Sequence, residues 1–133
     1  MTGKMLTDKD MNFAQEILKK QFTFLSGLES TLTFGKQPFD KINKHFLQII
    51  FCEDVKHWIV TSTITSYPVV KVFDSVFSTV DASTSSMLKD LLGSAVDIQM
   101  GKIQKQIGAT DCGLFAIATC VSLANGKAPA EFM

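Results

Sequence analysis

Three apolar segments that follow one another between residues 46 and 73 constrain the fold of this chain most strongly. The first, residues 46–52, is almost continuously apolar, as is typical of a strand buried on both faces. The second and third, residues 57–64 and 69–73, are rich in β-branched side chains and follow short breaks of charged or turn-forming residues. We expect these three strands to form an antiparallel meander at the centre of the fold.

Segments with helical spacing flank these strands. Residues 10–22 carry an apolar stripe with lysines on the other side, and either Thr7 or Asp8 can cap that helix. A second helix is predicted over residues 84–94 because its leucines recur at helical spacing and it stops near Gly93. A short strand is predicted over residues 97–100.

The last strong element begins around Cys112 and ends at Asn125-Gly126. It is apolar on all sides, so we expect a central, buried helix. Residues 28–40 are broken by glycine and proline and support no prediction of structure. The whole pattern predicts an α+β fold in which a small, mostly antiparallel sheet packs on helices, within one compact domain over residues 1–133.

Charge and hydropathy exclude several classes of partner. Thirteen basic residues balance thirteen acidic ones, and every basic residue is a lysine, so we expect no nucleic acid as a partner. No apolar run reaches the roughly 18 residues that a membrane helix needs, and the first residues lack the apolar run of a signal peptide. We expect a monomeric, intracellular protein of the cytoplasm or nucleus.

The three cysteines differ in their predicted settings. Their odd number and the lack of C-x-x-C spacing indicate reduced thiols, and with two histidines they do not form a zinc pattern, so we predict neither metal nor cofactor. Cys112 lies where a polar loop meets the buried helix, and a helix N-terminus lowers the pKa of a thiol. Cys52 and Cys120 lie within apolar segments and are predicted to be core residues. Core packing is also an open interpretation for Cys112.

A nucleophilic thiol needs a base, which only His45 and His57 can supply. His57 begins the second strand, and Asp74 ends the third, so strand register can bring that carboxylate to the imidazole. Both residues also have ordinary interpretations, as a strand-edge histidine and a turn aspartate. Gln106, six residues before Cys112, can direct its amide toward an oxyanion beside the sulfur.

Taken in order, these residues resemble the SUMO/sentrin-specific protease family, which shares its papain-like core with adenovirus-type proteinases. The family pattern is His-Trp, Asp-Ser about seventeen residues later, and then Gln-x5-Cys-Gly opening a buried helix. The corresponding segments here are HWIVTSTITSYPVVKVFDS and QIGATDCGLFAIA. The start at Leu6-x-Asp8, followed by a helix, is also similar to the N-terminal segment of the family. The resemblance thus spans nearly the whole chain.

The resemblance implies a cysteine peptidase or isopeptidase that cleaves after the Gly-Gly tail of SUMO, ubiquitin or a relative. Cys112 is then the nucleophile at the N-terminus of the buried helix, His57 the base and Asp74 the residue that orients it. Gln106 donates to the oxyanion. Trp58 covers a tunnel that admits only glycine, because glycine lacks a Cβ; core packing is its ordinary interpretation, and both can hold together.

Asp8 is implied as a polar contact to the ubiquitin-like protein. Two departures keep an alternative open: Met5 stands where the family has tryptophan, and 133 residues are fewer than the usual 200 or so of the family domain. The alternative is a catalytically weak or inactive module that binds ubiquitin-like proteins. An acyltransferase, the third possibility, needs a cofactor-binding insertion for which the chain has little room.

Overall fold

The computed structural model describes residues 7–31, 43–52, 57–77, 79–93, 96–101 and 112–127, with the side chains of all but Leu92 and Cys112. Its first helix, α1, spans Asp8–Gln21. Thr7 is the N-cap: its hydroxyl accepts from the Asp10 backbone N–H, while the Asp10 carboxylate accepts from the Thr7 N–H. This reciprocal pair satisfies two of the free N–H groups at the helix start. The predicted first helix is therefore confirmed, with Thr7 and not Asp8 as its cap.

Within the described residues the sheet has five strands in sequence order: β1 (Ser26–Gly27), β2 (Phe46–Cys52), β3 (His57–Ser62), β4 (Val70–Phe73) and β5 (Ile98–Met100). The central pairings, β2 with β3 and β3 with β4, are antiparallel, which confirms the predicted meander. The two edge strands pair in parallel with their neighbours. The parallel edge strand β1 was not predicted from the sequence.

Gly27 explains how so short a strand can join the sheet edge. Its backbone has φ 87°, and a Cβ at this position would lie 2.3 Å from the Leu47 carbonyl oxygen of β2. Only glycine allows this close approach and this left-handed conformation together. β1 is thus specified by a single residue rather than by an apolar run.

Helices cover both faces of the sheet. Helix α1 and helix α3 (Cys112–Ala124) pack on one face, where Met11 of α1, Ile49 of β2 and Cys120 of α3 belong to one core cluster. All three side chains are fully buried. This face of the sheet therefore carries the larger part of the core.

Helix α2 (Ala82–Leu92) packs on the opposite face of the sheet. Its Leu88 is fully buried against apolar side chains of β2, β3 and β4. Asp81 is the N-cap of α2, and Gly93 ends the helix as predicted. The second predicted helix is confirmed, with a start two residues earlier than expected.

Helix α3 has the predicted bounds and the predicted central place, packed on β2, β3 and α1, but one side of it is exposed. Ala116, Cys120 and Leu123 face the core, whereas Leu114 is 41% and Val121 43% exposed. The elements that pack on α3 in the described part of the chain are β2, β3 and α1. They cover one side of the helix, and an apolar composition does not by itself say how many sides have neighbours.

Two buried glutamines replace strand pairing at the edge of β2. Beyond Leu47 that edge has no partner in β1, and the Ile49 backbone N–H instead donates to Gln15 Oε1 of α1 at 2.9 Å. Gln48 Nε2 donates to the same oxygen, and Gln48 Oε1 accepts from the Glu29 N–H. Side-chain amides thus satisfy backbone groups that would otherwise be buried without partners.

Candidate active site

The register of two antiparallel strands brings His57 and Asp74 together. β3 begins at His57, and Asp74 directly follows β4. Since Val60 pairs with Phe73, the start of β3 lies beside the end of β4. His57 Nε2 is 2.9 Å from Asp74 Oδ2, and each residue is only 5% exposed.

Hydrogen bonds from His57, Val76 and Phe77 hold the Asp74 carboxylate. Oδ2 bonds to the imidazole, while Oδ1 accepts from the backbone N–H groups of Val76 at 2.8 Å and Phe77 at 2.9 Å. Burial alone raises the pKa of Asp74, but the hydrogen bonds from His57, Phe77 and Val76 outweigh burial and lower it. Asp74 is therefore ionised at neutral pH and acts only as an acceptor.

This carboxylate determines which nitrogen of His57 carries the proton in the neutral imidazole. An ionised Asp74 requires Nε2 to donate, so the lone pair lies on Nδ1. Nδ1 is buried and has no hydrogen-bond partner among the described residues. A buried nitrogen with a free lone pair is costly unless a partner approaches it, and it is suited to accept a proton.

Cys112 is the first residue of α3, and its backbone position can be related to His57. Helix α3 packs on β3, and the last residues of α3 and the residues just after β3 line one cavity. The helix and the strand therefore run in the same direction and terminate close together. Along their axes α3 is about 18 Å long and β3 about 17 Å. Because their lengths are similar, the first residue of α3 lies near the first residue of β3, which is His57. Gln106 lies outside the described residues.

The other two cysteines have the core positions predicted for them. Burial raises the pKa of Cys52 to about 12, against the opposing effect of its hydrogen bond with Thr84, and burial also raises the pKa of Cys120. Both thiols stay protonated at neutral pH, and a protonated thiol is a poor nucleophile. Neither is suited to nucleophilic catalysis.

Trp58 and Asp8 occupy different environments. Trp58 is 4% exposed, and its ring lies 4.8 Å from that of Phe51, within the core beneath α3. This agrees with the core interpretation of Trp58, and its role in a substrate tunnel stays a prediction. Asp8 lies in the first turn of α1 and is partly exposed, and its contact to a partner also stays a prediction.

Phe77 lies at this site, although the sequence patterns did not indicate it. Its ring centroid is 5.2 Å from that of His57, with the two rings tilted by 44°. The signal that could have found it was an aromatic residue three positions after the candidate aspartate, in a segment interpreted only as a strand end. The other histidine, His45, instead contacts Phe24 edge-on at a centroid distance of 5.0 Å.

A large cavity is formed by described residues, but it is not at this site. It has a volume of about 810 Å³ and lies at the far end of β3, between Phe24, Tyr67 and the end of α3. His57 and Asp74 do not line it.

Within the described ranges, no group of three histidine, cysteine or acidic side chains is arranged to hold a metal ion. In the same ranges, no helix is long and apolar enough to cross a membrane.

Comparison by sequence finds no relative: no protein-family model and no curated protein matches the chain. Comparison by structure, in contrast, finds solved structures that match the chain. The SUMO protease Ulp1 with its catalytic cysteine oxidised to a sulfenic acid matches with a TM-score of 0.76 and 13% identity, over 96% of this chain and 70% of that one.

Two structures solved with a bound protein match as well. The Ulp1 protease domain in complex with Smt3, the yeast orthologue of SUMO, has a TM-score of 0.73 and 14% identity, over 96% of this chain and 69% of that one. The Xanthomonas campestris effector XopD bound to ubiquitin has a TM-score of 0.66 and 16% identity, over 92% and 75%. The chain therefore has the fold of these structures, which confirms the fold implied by the sequence resemblance.

Proposed function

We propose that this chain, which has the fold of the Ulp1 SUMO protease, is a cysteine peptidase that cleaves after the C-terminal Gly-Gly of a ubiquitin-like protein. The observation that carries the proposal is the state of His57. Its Nε2 is committed to an ionised carboxylate, and its buried Nδ1 has no partner in the described part of the chain. A general base needs this arrangement, with one nitrogen anchored and the other free to take a proton.

Cys112 is the proposed nucleophile. Its backbone begins α3, near the start of β3. The free N–H groups of a helix N-terminus favour a thiolate. Cys52 and Cys120 are buried with raised thiol pKa values, so Cys112 is the remaining candidate. The proposal includes an intracellular location, where such a thiol stays reduced.

The reaction then proceeds in two halves. His57 Nδ1 takes the proton from the Cys112 thiol, and the thiolate attacks the carbonyl carbon of the terminal glycine. The backbone N–H of Cys112 and the Gln106 amide donate to the oxyanion. The imidazolium protonates the leaving amine, and water then hydrolyses the thioester with His57 again acting as base.

The substrate class rests on the comparison structures. One of them is bound to Smt3 and another to ubiquitin, which makes both kinds of protein candidates for this chain. In the proposed complex the Gly-Gly tail reaches the thiolate past Trp58, and Asp8 contacts the folded part of the ubiquitin-like protein.

The test uses ubiquitin and several SUMO-type proteins that carry an electrophile in place of the C-terminal carboxylate. We expect the chain to form a covalent adduct with at least one of them, detected as a mass increase equal to the probe. Cys112→Ala should abolish the adduct and keep the fold, whereas Cys52→Ala should retain the adduct. Binding without an adduct would favour the alternative, an inactive binding module. If no probe binds to the chain and no probe forms an adduct with it, the proposal is overturned.

A further inference from the structure

His57, Asp74 and Phe77 form a closed set of contacts. The imidazole bonds to Asp74 Oδ2 at 2.9 Å, and the other oxygen of that carboxylate accepts from the Phe77 backbone N–H at 2.9 Å. The Phe77 ring then packs back on the imidazole at a centroid distance of 5.2 Å. One carboxylate therefore holds both the histidine and the residue whose ring lies against that histidine.

The exposures of the two rings differ sharply. Phe77 is 43% exposed, whereas His57 is 5% exposed. The phenyl ring thus has one side toward solvent and another against the imidazole. An apolar residue of this size is usually buried, and here it lies at the surface where it covers a polar ring.

The contact has a physical consequence for the imidazole. A single hydrogen bond at Nε2 leaves rotation about the Cβ–Cγ bond weakly restrained, because that torsion has broad preferences. A flat ring packed on the imidazole restricts this rotation and thereby the direction of Nδ1. A ring in this position also leaves less room for water beside the hydrogen bond between His57 and Asp74.

We propose that Phe77 is a positioning residue, whose ring holds His57 in the orientation that directs Nδ1 at the nucleophile and shields its hydrogen bond to Asp74 from water. This inference rests on the proposed peptidase function, since it specifies how the base is held. The contact itself, however, can be measured in the free protein without any reaction.

The chain offers a matched control in its other pair of phenylalanine and histidine. Phe24 is also exposed and contacts His45 at a similar distance, beside the large cavity at the far end of β3. The variants are Phe77→Ala, Phe77→Leu, Phe77→Tyr and Phe24→Ala. Leucine keeps most of the side-chain volume without the flat ring, and tyrosine keeps the ring.

Two measurements are made on each variant. The first is the rate of adduct formation at increasing probe concentration, which separates the maximal rate from the concentration that gives half of it. We expect Phe77→Ala to lower the maximal rate about 10- to 100-fold, since small displacements of a reacting group have effects of this size, and to leave the half-maximal concentration within about 2-fold. Phe77→Leu should show a loss of about 5-fold or more, by the same reasoning.

The second measurement is the exchange of the His57 Nε2 proton with water, followed by NMR in histidine-labelled protein. Phe77→Ala should accelerate this exchange by about tenfold or more, because the ring no longer shields the hydrogen bond. Phe77→Tyr should match the wild type in both measurements, and so should Phe24→Ala.

Equal loss in Phe77→Ala and Phe77→Tyr, or wild-type behaviour of both Phe77→Ala and Phe77→Leu, would overturn the inference. If Phe77→Ala does not fold, the comparison of Phe77→Leu with Phe77→Tyr decides: the inference requires a lower maximal rate in the leucine variant than in the tyrosine variant. An unreactive wild-type chain counts against the proposed function, whereas proton exchange still decides whether Phe77 holds His57.

Discussion

Replacing Asp74 with asparagine separates the chemical role of its charge from its structural role. The new amide can keep its oxygen in place of Oδ1, where it still accepts from the N–H groups of Val76 and Phe77. Its NH₂ group then faces His57 Nε2 at the 2.9 Å now spanned by the hydrogen bond. Two donors cannot share that contact, so the imidazole must move its proton to Nδ1.

The expected loss of reactivity is large. With Nδ1 protonated, His57 cannot take the proton of the proposed nucleophile, and this wrong tautomer lowers a triad's rate by roughly 10⁴-fold in the well-studied serine-protease case. The expected loss of stability is modest, about 1–3 kcal/mol, since a hydrogen bond to a charged group is replaced by one between neutral groups and the backbone bonds are kept. Asp74→Ala should be less stable than Asp74→Asn, because the two N–H groups then lose their acceptor.

The stability difference should depend on pH with a definite sign. Because the folded chain lowers the pKa of Asp74, its carboxylate stabilises the fold above the unfolded pKa of about 3.9. That contribution is lost as the pH falls through the lower, folded pKa. Wild type and Asp74→Asn should therefore differ fully in free energy of unfolding at about pH 6–7, and the difference should shrink below about pH 4.

The assay combines adduct formation with denaturant unfolding at several pH values. Asp81→Asn is the matched control, since Asp81 also has a lowered pKa and caps α2 but does not contact His57. It should lose stability and keep its reaction rate. If Asp74→Asn reacts within about tenfold of wild type, the assignment of the proton to Nε2 is refuted.

Two further predictions concern the core. Gln48→Met should lower the free energy of unfolding, measured by urea titration, by about 2–4 kcal/mol. The reason is that the Glu29 N–H loses its acceptor and Gln15 Oε1 loses a donor. A change below about 0.5 kcal/mol would contradict this. In the native state Cys52 and Cys120 should resist iodoacetamide at about pH 7.5 and react in denaturant, by peptide mass spectrometry, whereas labelling of either at the rate of a free thiol would contradict their burial.

Much of the secondary structure could be predicted because its signals are local. The stripe of α1, the β-branched residues of β3 and the glycine after α2 each report on their own neighbourhood, and the structure has these elements within a few residues of the expected bounds. β1 could not be predicted, since two residues carry no period. Its place depends on the approach of Gly27 to Leu47, a residue that lies far from it in sequence.

The candidate site divides in the same way. The order and spacing of His57, Asp74 and Cys112 in the sequence resemble those of a known protease family, and that resemblance implied a peptidase. Which nitrogen of His57 is anchored, and which is left without a partner among the described residues, depends on distances of a few ångströms between strands. The contact with Phe77 likewise follows from a turn that the Asp74 carboxylate closes.

Residue patterns alone were thus sufficient for the helices and central strands, and they indicated candidates for nucleophile and base. Only the folded chain shows that the outer side of α3 is exposed, that glutamines complete the edge of β2 and that Phe77 covers His57. The difference is one of range. Backbone preferences and hydrophobic periods act over a few residues, whereas burial, strand register and the state of a side-chain nitrogen depend on segments brought together only by folding.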